Sequence, residues 1–220
     1  MAAISAAVPR SFAYNLPFGN IIYSETNMKQ RKITIVFNSP VVLSFAALSL
    51  LVLVLDNFLG HWLISNYFCV FRSSLLNPLT YLRFFTHVLG HASYEHYINN
   101  MLLILIVGPS LEERYGSDKL LWSILFTAFI TGVAQFIFFP GTALLGASGI
   151  AFMMIIMSSF AGYRGGTIPV TLIVVFALYI GQEVLDAIML RDSVSQFTHV
   201  LGGICGAGIG FMLTGRSRRR

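Results

Sequence analysis

Ser148, His199, His96 and Asn100 are the residues best equipped for chemistry, and each stands in an otherwise apolar stretch. A serine hydroxyl becomes a nucleophile when an adjacent base takes its proton. Ser148 and His199 could form such a pair if the fold brings them together. His96 and Asn100 are four apart, so they share one helix face. Blander readings stand beside these. A lone serine in an apolar helix is ordinarily a packing residue, and a lone histidine a structural or proton-handling group. His87, His91 and His96 raise the question of a metal, and His87 and His91 have helical i, i+4 spacing. The glutamate of a His-Glu-x-x-His zinc helix is absent and no carboxylate completes a site, so neither metal nor other cofactor is expected. Glu183 and Asp186 lie toward one end of an apolar run and read as interfacial or structural groups, not as a triad acid.

The elements that must position these residues are membrane spans. Of the 220 residues, 56% are hydrophobic and 10% charged, with a mean hydropathy of +0.76. A soluble domain is about one quarter charged, so the solvent that fits this chain is a bilayer. The net charge of +5 does not point to nucleic acid, because the basic residues sit in flanks and short loops. Cys69 falls in a loop and Cys205 in an apolar helix, so no disulfide is expected between them. The first long apolar run starts too deep for a signal peptide, and no cleaved leader is expected. Six spans are predicted, at about 40–58, 91–108, 120–139, 148–163, 168–189 and 194–213. Residues 1–39 read as a tail, 40–214 as one all-α membrane domain, and 215–220 as a basic tail. The long first loop, 59–85, is rich in aromatics and punctuated by Asn77-Pro78. It is expected to lie partly in the membrane interface with short helices of its own. A polar turn at 111–118 is expected to end the second span.

Six spans place both termini on one side. Arg10, Lys29, Arg31, Lys32, Arg114, Lys119, Arg164, Arg216, Arg218, Arg219 and Arg220 then share that side, and only Arg72, Arg83 and Arg191 lie on the other. The positive-inside rule makes the first side cytoplasmic. Ionisable groups within spans usually mark function, and here their depths agree. His96 and His199 each lie about five residues inside a span, roughly 8 Å below the outer boundary. The fourth span is about 16 residues, or ~24 Å, against a core of ~30 Å, so Ser148 also begins below the surface. Gly202, Gly206 and Gly210 read as a close-packing face, which would press the sixth span onto the fourth and bring His199 to Ser148.

The sequence resembles the rhomboid proteases across the six-span region. The second span carries His96 and Asn100 followed by Met101, similar to the family's His and Asn pair. Glu112-Glu113-Arg114-Tyr115-Gly116-Ser117 is similar to its second-loop signature. Gly146-Ala147-Ser148-Gly149 fits the Gly-x-Ser-Gly nucleophile motif, and His199 with Gly202 and Gly206 fits the catalytic histidine helix. Leu82-Arg83 keeps the Arg, but not the Trp, of the family's first-loop Trp-Arg. Phe152 stands where the family often has Tyr or another aromatic.

The resemblance implies an intramembrane serine endopeptidase of six helices, with an interfacial first loop and a re-entrant loop before the fourth helix. Ser148 is the implied nucleophile and His199 its base, with Phe152 stacked on the imidazole. His96, Asn100 and the Ser148 backbone N–H are the implied oxyanion donors. The implied partners are transmembrane protein substrates and the lipid bilayer. Two readings compete: a non-catalytic rhomboid-like protein that binds membrane segments, and a small transporter with a polar site. The intact Ser148, His199 and Asn100 weigh against the first. The lack of an internal repeat weighs against the second. The spare architecture favours a bacterial plasma membrane, while the N-terminus with Arg10 leaves an organelle open.

Overall fold

The computed structural model describes residues 38–160, 170, 173, 174, 177 and 193–216. The N-terminal tail, most of the expected fifth span with Glu183 and Asp186, and residues 217–220 lie outside them. Helix α1 (Pro40–Phe58) starts with Pro40 in its first turn, where the missing N–H costs nothing. Two short helices follow, α2 (Trp62–Tyr67) and α3 (Pro78–Thr86). Asn77 caps α3 by accepting the Leu79 N–H at 3.0 Å. A single 3₁₀ turn, His87–Leu89, leads toward α4 (Tyr94–Tyr115), which Ser93 caps by accepting the His96 N–H at 3.1 Å. Then come α5 (Ser117–Phe138), α6 (Ser148–Ser159) and α7 (Ser193–Arg216).

Among the described residues, three segments are long and apolar enough to cross a membrane: Pro40–Phe58, Ser117–Phe138 and Gln196–Thr214. Helix α4 has the length, but Tyr94, Glu95, His96, Asn99 and Asn100 crowd its first two turns and lower its hydropathy. Helix α6 is shorter and lies innermost. Ile150, Ala151, Met153, Met154, Ile156 and Met157 cover most of its circumference and are all buried, while Ser148, Phe152 and Ile155 lie on a half-buried face, the pattern of a helix largely enclosed by others. Helices α4, α5 and α7 pack against it. Leu48, Leu51, Leu55, Leu121, Leu125 and Phe211 face outward from α1, α5 and α7, as lipid contact requires.

The expected polar turn at 111–118 is not a turn. Helix α4 runs through Tyr115, and Gly116 alone separates it from α5. The reason is Glu112. Its side chain is buried, and its oxygens accept the Val41 and Val42 N–H groups at 2.9 and 3.0 Å and the Ser117 hydroxyl at 2.7 Å. The carboxylate therefore caps α1 from 70 residues away in sequence and complements its positive end. Glu112→Ala leaves those donors unpaired and is expected to destabilise the fold by about 1–3 kcal/mol. The check is the thermal unfolding midpoint in detergent beside Glu113→Ala, whose exposed side chain should leave it unchanged.

Candidate active site

Ser148 is the first residue of α6, and the chain is steered into it by backbone bonds from the first loop. Val70 and Leu144 exchange N–H···O=C bonds, both 2.8 Å, and the Gly146 N–H donates to the His87 carbonyl at 3.0 Å. Gly146 has φ 119°, a conformation open to glycine and strained for other residues. It also has no room. A Cβ there would lie 2.7 Å from His96 Cε1 and 2.8 Å from His96 Nε2, with Asn100 Nδ2 at 3.9 Å. Backbone shape and close approach thus both require glycine, and together they set His96 and Asn100 against the turn two residues before Ser148.

Helix α7 closes the other side. A Cβ on Gly202 would run into the carbonyl of Gly149, and one on Gly206 into the carbonyl of Met153. Two turns of α7 therefore lie directly on the α6 backbone. One turn beyond Ser148, the Phe152 ring meets the His199 imidazole, with centroids 4.6 Å apart and planes at 42°. Ser148, His96, Phe152 and His199 are half-buried, and Asn100 is buried. Asn100 spends one amide hydrogen on the His96 carbonyl at 3.0 Å and keeps a second to donate.

His87 and His91 have local roles that spacing alone did not reveal. The His87 ring is buried between the Arg83 carbonyl at 3.1 Å and the Thr131 hydroxyl at 3.3 Å. His91 is buried with its ring against His96 and Tyr97, at centroid distances of 5.1 and 5.5 Å. Two further contacts were also missed. Gln135 donates to the Thr142 hydroxyl at 3.0 Å and pins the turn after α5. Phe138 and Phe139 both meet the Phe197 ring, near the start of α7.

Burial pushes the His87 pKa down to about 4 from its ordinary 6.5. The unfolded chain therefore takes up this proton at a higher pH than the folded one. The stability His87 contributes is complete above pH 6.5 and is lost as pH falls from 6.5 toward 4. The unfolding midpoint should fall across that window. His87→Gln, which does not titrate, should flatten part of the slope; an unchanged slope would exclude His87 as a source.

A family model described as the Rhomboid domain matches residues 78–216, from the start of α3 to the end of α7. The chain belongs to the rhomboid family. It is an integral membrane protein, as that membership and its apolar helices require. It is 28% identical over 176 residues to the rhomboid protease GlpG of Serratia proteamaculans, covering 78% of this chain and 62% of that one. To the rhomboid protease GlpG of Salmonella paratyphi A it is 29% identical over 142 residues, covering 63% and 50%. The protein of the same name from Enterobacter sp. strain 638 is 29% identical over 145 residues, with the same coverage. The chain thus spans between half and about three fifths of the length of these curated relatives.

Proposed function

We propose that this rhomboid-family chain is an intramembrane serine endopeptidase that cleaves transmembrane segments with a Ser148–His199 dyad. The observation that carries the reading is the placement of residues 146–149. They lie between His96 and Asn100 on one side and the Gly202 face of α7 on the other, with the His199 ring against Phe152, one helical turn beyond Ser148. The relatives named rhomboid protease support it.

In this mechanism Ser148 Oγ attacks the scissile carbonyl. His199 accepts the hydroxyl proton and returns it to the leaving amine, and water then releases the acyl group from Ser148. Phe152 holds the imidazole by ring contact. The oxyanion receives hydrogen bonds from the Ser148 N–H, at the positive end of α6, and from Asn100 and His96. Donors fixed in a site of low dielectric are worth far more than in water. The six-span architecture, cytoplasmic termini, bacterial plasma membrane and dipping segment before α6 belong to this proposal. The charge asymmetry supports the span count and the termini. The bonds that tie residues 144 and 146 to Val70 and His87 support the dipping segment, and the bacterial relatives support the membrane.

Covalent labelling of the solubilised protein by a fluorophosphonate tests the reading. Wild type should label, while Ser148→Ala and His199→Ala should not. A folded wild type that resists a small probe would favour the non-catalytic alternative. Asn100→Ala should lower kcat by about 10²–10³-fold with little change in KM. It should retain measurable turnover where Ser148→Ala has none. Wild-type kcat in purified Asn100→Ala would remove Asn100 from the oxyanion site.

A further inference from the structure

Three consecutive residues near the start of α7 meet three different surfaces. The Phe197 ring stands edge-on to Phe138 and Phe139 at the end of α5, with centroids 5.8 and 5.3 Å away and planes at 63° and 60°. Pairs of this geometry fix orientation as well as burying area. Thr198 is buried at Gly149, where a Cβ would lie 3.5 Å from Thr198 Cγ2 and 3.6 Å from Thr131 Cγ2 of α5. His199 meets Phe152. Residues two apart on a helix point about 200° apart, so Phe197 and His199 lie on nearly opposite sides of α7. Gly202 and Gly206 set how closely α7 approaches α6, but a glycine has no side chain to stop a helix rolling about its own axis. A roll that swings His199 off Phe152 must also drag Phe197 off both of its partner rings.

Those rings are firmly held. The Phe139 N–H donates to the Gln135 carbonyl at 3.0 Å, and the Phe139 carbonyl accepts the Thr142 N–H at 3.3 Å. The buried Gln135 side chain donates to the Thr142 hydroxyl at 3.0 Å. From this turn the chain runs through Leu144 and Gly146, both tied to the first loop, to Ser148. The same turn thus begins the segment that delivers Ser148 and receives the ring two residues before His199. We propose that Phe197, set against Phe138 and Phe139, is a positioning residue: it fixes the rotation of α7 and so aims the His199 imidazole at Ser148. The proposal rests on the proteolytic reading of those two residues. Phe129 of α5 provides the comparison for an aromatic contact that only stabilises. It is 39% exposed against 37% for Phe197, and its ring also meets two others, Phe84 at 6.3 Å and Phe85 at 5.4 Å.

The test compares full-length variants in proteoliposomes, each below its own thermal midpoint. Phe197→Ala should lower kcat for a transmembrane substrate by about ten- to a hundredfold at unchanged KM, as a reacting group displaced by ~1 Å does. Fluorophosphonate labelling of Ser148, which needs no substrate contact, should slow by a similar factor. Phe197→Tyr keeps the ring and should keep wild-type kcat. Phe139→Ala alone should slow labelling, but added to Phe197→Ala it should slow labelling no further, because the two share one contact. Phe129→Ala should lower the midpoint as Phe197→Ala does, yet leave kcat and labelling at wild-type values. Equal kcat in Phe197→Ala and Phe129→Ala would overturn the assignment. So would a raised KM at unchanged kcat, which would make Phe197 a substrate contact. A folded wild type that does not label overturns the proteolytic reading and this one with it. A labelled wild type beside an equally labelled Phe197→Ala overturns this one alone.

Discussion

Ser148→Ala and His199→Ala should each stop cleavage of a transmembrane substrate in proteoliposomes, lowering kcat by about 10⁶-fold. The two groups act as one unit on the proposed mechanism, so the double variant should be no worse than either single one. Ser148→Ala is a clean probe for a structural reason. Ala147, not Ser148, occupies the N-cap position of α6, and no side chain caps that helix. Removing the Ser148 hydroxyl therefore takes no cap from α6, and the thermal midpoint should stay near wild type. His199→Ala leaves one side of the Phe152 ring uncovered, so a modest loss of stability is expected with the full loss of activity. Turnover above a tenth of wild type in either variant would sink the dyad.

Gly202→Val should be nearly as severe for a different reason. Its Cβ would enter the space of the Gly149 carbonyl, which is backbone and cannot swing aside. Helix α7 must then move off α6, and overpacking of this kind costs about 1–3 kcal/mol, occasionally more. His199 lies on that helix one turn earlier. A displacement of about 1 Å in a reacting group can cost 10²-fold in rate, so kcat should fall by at least about that factor as the midpoint drops. Gly208→Val is the control, because nothing lies within 4 Å of a Cβ at that position. It should keep near wild-type kcat and midpoint. Equal behaviour of the two variants would mean that α7 is not positioned through Gly202.

What was legible in the sequence was local. Helix α1 ends where hydropathy and Pro40 place its ends. The four-residue glycine spacing pointed to a close-packed face, and Gly202 and Gly206 lie on the α6 backbone. What was illegible was held by partners distant in the chain. Glu112 reads as a solvent charge until its oxygens are seen on Val41 and Val42. Asp56 is the one acid inside the first span, and no neighbour in sequence gives it a role. It is buried, accepting the Ile64 N–H at 2.7 Å and pairing with His61 at 3.0 Å. The Val70–Leu144 pairing has no signature, since neither residue is polar nor part of a periodic run. In the candidate site, residue types and spacing singled out Ser148, His96, Asn100 and His199. The part played by His87, whose carbonyl holds Gly146, passed through its backbone, where side-chain chemistry says nothing.

The pairing of Val70 with Leu144 and of His87 with Gly146 also orders events during synthesis. Both N-terminal partners leave the ribosome before the segment that carries Ser148 exists. That segment reaches its working shape only by docking onto chain already made, and His199 follows later still. On the proposed reading, a half-built or half-inserted copy has no competent nucleophile. On that reading, completing the fold is itself the activation step.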